Sequence, residues 1–442
     1  MKIAILGYGV EGKSAYNYLR QKNVEDEIEV FDQKNIEVDG IKTVRVESFL
    51  DVDYAGYGLI LRSPSVAPKE ILEKIIKDKN GKQDFEFSSV TQIFFDKCPA
   101  KIIGVTGTKG KGTTCSFIAG MTREILALSK ENENRKVWLV GNIGVPATDI
   151  LAEVKKDDIV IYEMSSFQLW DLRKSPEIAV VVHIEPDHQD VHKDMDEYLG
   201  AKANIVKWQD ENGVVIYDKN NEFSSAIAEK SKGEKIDYPE GRYGDLLDNL
   251  SIVGEHNRQN GEAAILATLA GLGLEGEEAD FSEELRNAIA RGLKGFLGLP
   301  HRLKFVREVA GVKYYDDSIS TTPGSTIAGI KSFDQPKILI LGGSNKGAEF
   351  DELAKIIKAS NVVKTILIGV SARKIEMALE NAGCEGIINL GIDTDMNRVV
   401  ELASGIAEKG DVVVLSPACA SFDMFLSYSD RGEKFIEAVQ KL

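Results

Sequence analysis

Cysteine is scarce in this sequence. Its 442 residues hold four, Cys98, Cys115, Cys384 and Cys419, without paired spacing. That argues against a disulfide framework and against a thiolate zinc site. Long apolar runs are lacking too, and none approaches the roughly 20 residues of a membrane span. Basic charge is in deficit: Lys and Arg number 54 against 70 Asp and Glu, a net charge of −16. No basic stripe interleaved with aromatics appears, so a nucleic-acid surface is not expected. The opening MKIAILGYGV has a lysine and a short apolar run, as a signal peptide does. No small-residue cleavage site follows, and the run reads as a first strand. Internal repeats and low-complexity segments are missing as well. A cytoplasmic protein with neither a membrane nor a nucleic-acid partner is expected.

What is present is an ordinary apolar share, 43%, in a chain long enough for two to four domains. Short β-rich runs alternate with helical stretches, the pattern of α/β folds with mostly parallel sheets. KIAIL, EIEVF and GLILRS read as strands of a first block; KIIGVTG, VWLVGN, DIVIYEMS and EIAVVVHI as strands of a second; PKILILGG, VKTILIGV and DVVVLSPA as strands of a third. GLKGFLGLPHR, residues 292–302, is a glycine-rich linker and a hinge candidate. Three α/β domains are expected, over residues 1–97, 98–300 and 301–442.

Two glycine loops carry the chemistry. The first, Gly7-x-Gly9-x-x-Gly12, follows a strand and opens a helix, and Asp32 ends the next strand. Such glycines let a backbone approach a pyrophosphate, and such an acid meets a ribose hydroxyl. An NAD-dependent oxidoreductase, another diphosphate-nucleotide site and a tight structural turn all remain open. The second loop, GVTGTKGKGTT at residues 104–114, offers backbone N–H groups from Gly107 to Gly112 and a lysine, Lys111, for phosphate charge. A P-loop normally follows its lysine with Ser or Thr, whose hydroxyl binds Mg²⁺. Here Gly112 intervenes, so the ligand must be Thr113 or Thr114, and one residue of helical rotation favours Thr113.

Oxygen ligands are needed beside that hydroxyl. Glu163 ends the strand of DIVIYEMS, where ligands gather in open α/β sheets. HIEPDHQDVH holds His183, His188 and His192, three of the chain's five histidines, and with Asp187 or Asp190 permits a zinc reading. GEHNRQN groups His256, Asn257 and Asn260 at a helix start; Arg302, Asp317, Lys346 and Ser421 stand in loops or linkers. Singly, each is more often a cap, a turn or a solvated charge.

Together these stretches resemble the Mur ligase family, in its glutamate-adding branch. The motifs carrying the resemblance run in order along nearly the whole chain: GYGVEGKS, RSPSVAP, GVTGTKGKGTT, GNIG, EMSSFQL, PDHQDVH, AKANIV, GEHNRQN, GLPHR, DDSISTTPGST, LGGSNKG and SPACASFD. The resemblance implies a Rossmann-like UDP-binding domain, a central P-loop ATPase and a C-terminal Rossmann-like domain for the amino acid. It implies an ATP-dependent ligase of peptidoglycan precursor synthesis that joins glutamate to UDP-N-acetylmuramoyl-L-alanine through an acyl phosphate. By motif, Gly7, Val10, Glu11, Asp32, Ser63, Pro64, Asn142 and His188 would meet the UDP-substrate. Gly107, Thr108, Lys109, Gly110, Lys111, Gly112, Thr113, Thr114, Asn257, Asn260, Arg302 and Asp317 would hold ATP. Lys111, Glu163, His188 and Lys202 would be catalytic. Two Mg²⁺ ions would be served by Thr113, Glu163, His188 and a carbamylated Lys202. Thr321, Lys346, Ser421 and Tyr428 would orient the glutamate, and the enzyme would act as a monomer.

Three positions depart from the family pattern. Gly112 replaces the usual Ser or Thr, as in folylpolyglutamate synthetases. Ile319 stands where many of these ligases have lysine, and Tyr428 replaces phenylalanine. D-glutamate is therefore expected by family precedent, with L-glutamate or another acceptor as the alternative. An NAD-dependent oxidoreductase leaves the second loop unemployed, and a nucleotide-sensing module predicts ATP binding without ligation.

Overall fold

The computed structural model describes all residues except 23–24, 39, 83, 189–190, 249, 253, 275–280, 297, 299 and 345–346. The chain divides into two compact units, Met1–Asn249 with Gln259–Leu293, and Leu250–Arg258 with Lys294–Leu442. The second division falls inside the candidate linker, of which residues 297 and 299 lie outside the described part.

The larger unit contains two sheets. The first comprises β1 (Lys2–Leu6), β2 (Glu27–Asp32), β3 (Lys42–Arg45), β4 (Leu59–Arg62) and β5 (Glu86–Ser89). Its order is β3-β2-β1-β4-β5 and every pairing is parallel. Ile3, Ala4, Ile5 and Leu6 are wholly buried, as a central parallel strand covered on both faces requires. The chain crosses from one side of β1 to the other between β3 and β4, so the loop after β1 lies at the topological switch, where ligands bind.

The second sheet comprises β6 (Lys101–Thr106), β7 (Val137–Gly141), β8 (Ile159–Glu163), β9 (Ile178–Val181), β10 (Val214–Asp218) and β11 (Glu234–Tyr238). It is all-parallel in the order β11-β10-β9-β6-β8-β7. β6 thus has β8 on one side and β9 on the other. The register pairs Val105 with Glu163 and Thr106 with Val181. The glycine loop leaving β6 is therefore flanked by Glu163 and by the segment that leads to His183 and His188.

The smaller unit contains β12 (Lys304–Val309), β13 (Val312–Asp316), β14 (Lys337–Gly342), β15 (Val362–Ile368), β16 (Ile387–Gly391) and β17 (Val412–Leu415). Their order is β12-β13-β17-β14-β15-β16, with β12 and β13 antiparallel and the remaining pairs parallel. All strands read from the sequence are present. β3, β5, β10, β11, β12, β13 and β16 were not among them. Several are short or polar edge strands, such as KTVR and EKIDY, whose hydrogen bonding rather than apolar pattern defines them.

Candidate active site

The first loop is shaped by close backbone approach. Gly7 has a φ of 85°, and a Cβ there would run into the Ser63 hydroxyl. A Cβ on Gly12 would run into the Gly7 carbonyl. Ser63 Oγ donates to the Leu6 carbonyl at 2.7 Å, tying the RSPSVAP turn to the end of β1. Asp32 accepts from the backbone N–H of Tyr8 at 2.7 Å and of Lys34 at 2.8 Å, so its carboxylate closes the loop. Val10 is 74% exposed at the start of the helix Val10–Lys22. The Glu11 side chain turns the other way: Gln168 Nε2 donates to its Oε1. Burial pushes its pKa up to about 7, against the pull of the Gln168 hydrogen bond and the Arg62 charge.

The second loop is held from outside as well as within. Backbone N–H groups of Thr108 and Lys109 both donate to the His183 carbonyl, at 2.8 and 3.3 Å. Those two donors are engaged in the protein. Thr108 Oγ1 donates to the Glu185 carbonyl at 2.9 Å and is hydrogen-bonded to the Tyr198 hydroxyl, while Lys109 pairs with Glu185 at 2.6 Å. Gly110 has a φ of 90° at the N-cap of the helix Lys111–Leu126, and a Cβ there would strike the Asn260 amide. Only glycine meets both demands. Lys111 Nζ donates to the carbonyls of Gly107 and Thr108, at 3.1 and 3.0 Å. Thr113 and Thr114 are buried in the first helical turn, and Thr114 Oγ1 has no hydrogen-bond partner among the described residues.

A cavity of about 630 Å³ brings seven of the expected residues together: Pro64, Gly107, Lys111, Asn142, Glu163, His188 and Lys202. Glu163 is nearly buried at the end of β8. Lys202, on the helix Met195–Lys207, is 2% exposed; its Nζ donates to the Gly107 carbonyl at 2.8 Å and lies 4.6 Å from the Tyr198 ring centre. Burial, with Lys111 nearby, holds its pKa well below the ordinary lysine value. His188 has a φ of 52°, a conformation unusual outside glycine, with its backbone N–H bonded to Asp187 Oδ1 at 2.9 Å.

His188 and His192 both pack on Phe167, with ring centres 4.9 and 5.3 Å from it. His192 is buried, stacked on Phe167 at 5.3 Å, and hydrogen-bonded to Ser166 Oγ at 2.9 Å; burial lowers its pKa. His183 lies 3.7 Å from Asp218 Oδ2. Among the described residues no three His, Cys, Asp or Glu side chains assemble as a metal site; Asp190, one of the two acids of the zinc reading, lies outside them.

The remaining expected residues belong mostly to the smaller unit. Asp317 is buried, accepts from Ser416 Oγ at 2.7 Å and from the Leu303 N–H at 3.1 Å, and has its pKa pushed up to about 6 by burial. Ser421 is buried, Thr321 and Arg302 are partly exposed, and Tyr428 is 40% exposed with its ring 6.1 Å from His301. Asn257 is buried in the first turn of the helix Glu255–Leu272. Lys346 lies outside the described residues.

Two family models match the chain: Mur ligase middle domain over residues 105–244, and Mur ligase, glutamate ligase domain over residues 301–419. The chain belongs to the Mur ligase family. Curated Mur ligase relatives support this along the whole length. UDP-N-acetylmuramoylalanine--D-glutamate ligase of Acetivibrio thermocellus is 34% identical, covering 100% of this chain and 96% of its own. The protein of that name from Clostridium novyi is 32% identical, covering 100% and 97%. Among solved structures, UDP-N-acetylmuramate-alanine ligase MurC of Thermotoga maritima matches with a TM-score of 0.58 and 16% identity over 100% of this chain and 99% of that one. MurF ligase of Thermotoga maritima, solved in complex with ADP, gives 0.55 and 16% over 99% and 94%. These two show that the Mur ligase fold is shared.

Within this Mur ligase site, Ser165, Ser166, Phe167 and Tyr198 line the cavity without having been singled out in the sequence, and Asp187, named there only for the zinc reading, lines it too. EMSSFQL contains three of the missed residues, yet a serine or phenylalanine inside a motif gives no sign of which way it faces. Arg62 was missed too. It is fully buried, with Nε on Asp171 Oδ2 at 2.9 Å and Nη2 on the Phe167 carbonyl at 3.1 Å, so it joins the RSPSVAP turn to the EMSSFQL segment.

Proposed function

We propose that this chain is the ATP-dependent ligase that adds D-glutamate to UDP-N-acetylmuramoyl-L-alanine in peptidoglycan precursor synthesis. The observation that carries the reading is one cavity lined by Lys111, Glu163, His188 and Lys202 beside Pro64 and Asn142, in a Mur ligase with full-length relatives of that name. Its natural division of labour is three domains, 1–97, 98–300 and 301–442, a reading supported by three sheets falling within those limits.

A carboxylate is a poor electrophile, and transfer of the ATP γ-phosphoryl group to its oxygen supplies a leaving group. The glutamate amine then attacks the acyl carbon, and phosphate departs as the amide forms. Catalysis rests on positioning and charge neutralisation. Lys111 is bonded to its own loop carbonyls, and phosphate oxygens offer it stronger, charge-assisted partners. The donor set suits Mg²⁺, which favours one or two carboxylates with waters and phosphates. Glu163 lines the cavity, and the buried Thr114 hydroxyl has no hydrogen-bond partner among the described residues, so Thr114 joins Thr113 as a candidate ligand. The metal would neutralise phosphate charge. Lys202 fits carbamylation, because CO₂ adds to a neutral amine and burial disfavours the ammonium. Asn260 braces the loop at Gly110, and Asn257, Arg302 and Asp317 complete the proposed nucleotide set. Thr321, Lys346, Ser421 and Tyr428 form the proposed glutamate set.

No helix among the described residues is long and apolar enough to cross a membrane. The proposed place of action is the cytoplasm. A monomer is part of the proposal. Incubation with UDP-N-acetylmuramoyl-L-alanine, ATP, Mg²⁺ and D-glutamate should release phosphate. Absence of turnover with either glutamate isomer overturns the reading.

A further inference from the structure

Glu11 stands in the first turn of the helix after the first glycine loop, where the resemblance implies contact with the UDP-substrate. A carboxylate is an odd neighbour for a diphosphate. Its Oε1 is instead taken by Gln168, and its Oε2 is enclosed with no hydrogen-bond partner among the described residues. Gln168 is 1% exposed and lies in the short helix Ser166–Leu169. Its Oε1 accepts from the Ser165 backbone N–H at 2.8 Å and from Ser165 Oγ at 3.2 Å, and its own N–H donates to Ser165 Oγ at 3.2 Å.

An amide has a donor end and an acceptor end, and a buried one must satisfy both. Glu11 accepts only from the donor end. It thereby forces the acceptor end toward the Ser165 N–H, which needs an acceptor. With Glu11 truncated, a flip of the Gln168 amide would set N–H against N–H, and the cap of this turn would lose its direction. The turn matters because Ser165, Ser166 and Phe167, which follow Glu163 and Met164, line the cavity. Ser166 Oγ in turn holds buried His192, whose ring stacks on Phe167.

We infer that Glu11 is a positioning residue: through the Gln168 amide its side chain fixes the Glu163–Gln168 wall of the reaction cavity, and its carboxylate does not contact the substrate diphosphate. The inference rests on the ligase reading for its kinetic consequence, though not for its structural one.

Steady-state ligation by the full chain tests it with Glu11→Ala, Gln168→Ala, their double variant and Glu11→Gln. Each alanine variant should lower kcat about tenfold with KM for the UDP-substrate nearly constant, and the double variant should lose no more than either single one. Glu11→Gln, whose carbonyl still accepts from Gln168, should recover most of kcat. A raised KM at constant kcat for Glu11→Ala, or losses that multiply in the double variant, overturns the inference. Hydrogen exchange reads the same linkage without turnover. Exchange at the Ser165 amide should quicken in Glu11→Ala and stay slow in Glu11→Gln, and unchanged exchange in Glu11→Ala overturns the inference even if the wild type proves to be no ligase.

Discussion

Replacing Glu11 by Gln should stabilise the protein at alkaline pH and leave it almost unchanged in acid. The pKa of Glu11 is raised from 4.5 to about 7, chiefly by burial, with Gln168 and Arg62 pulling the other way. The titratable or charged groups facing it are Arg62 on β4 and Tyr162 on β8, whose own pKa Glu11 helps to raise. The folded state therefore holds a proton that the unfolded chain releases. Stability is penalised as pH rises from 4.5 toward 7, and the penalty is complete above 7. A displacement of this size corresponds to at most about 3 kcal/mol. The stem of Glu11 is partly exposed and its carboxyl sits near a helix N-terminus, so about 1–3 kcal/mol is the working range. Glutamine keeps the acceptor for Gln168 and carries no charge to desolvate. Thermal unfolding across pH 4 to 8 should show Glu11→Gln melting with the wild type at the acid end and roughly 2–6 °C higher at the alkaline end. A difference that does not change with pH would refute the argument that desolvation of the carboxylate is the cost.

Three further outcomes follow from the geometry. Thr113→Ala should raise the Mg²⁺ concentration for half-maximal ligation at least about tenfold if Thr113 is the ligand; a normal Mg²⁺ response there with a raised one in Thr114→Ala would move that role to Thr114. Lys202→Ala should abolish ligation, with partial recovery on adding a short carboxylate, and ¹³C NMR in labelled bicarbonate should show a carbamate signal in the wild type alone. Arg62→Ala removes the partner of Asp171 and the support of the Phe167 carbonyl, and should cost about 3–5 kcal/mol, read as a lowered unfolding midpoint.

Much of the site was legible because phosphate chemistry demands recognisable residues. Gly7, Gly12 and Gly110 are required by backbone geometry that other residues cannot adopt or fit, so their spacing shows in any sequence that uses it. Lys111, Glu163, His188 and Lys202 were named from motif context, and four separate segments bring them to one cavity. Ser165, Phe167, Tyr198 and Arg62 were not legible. Each acts through its burial and partners, and neither is encoded in residue type. Asp32 and Ser63, expected at the UDP-substrate, bond within the protein: Asp32 accepts from the first loop, and Ser63 ties its turn to the end of β1. A carboxylate or hydroxyl that caps a loop looks the same in sequence as one that meets a ligand.

The sequence by itself determined the α/β class, the strand–loop–helix character of both glycine loops and the family, because local periodicity, turn chemistry and motif order are one-dimensional properties. Tertiary structure alone decided what stands beside what. The order β9-β6-β8 puts Glu163 and the His183–His188 segment on either side of the second loop, and no local pattern specifies which strands become neighbours. It also decided the direction of Glu11. In the sequence that residue belongs to a phosphate loop; in the fold its hydrogen-bond partner lies 157 positions away, since enclosing a carboxylate requires a donor that only the packed chain can bring to it.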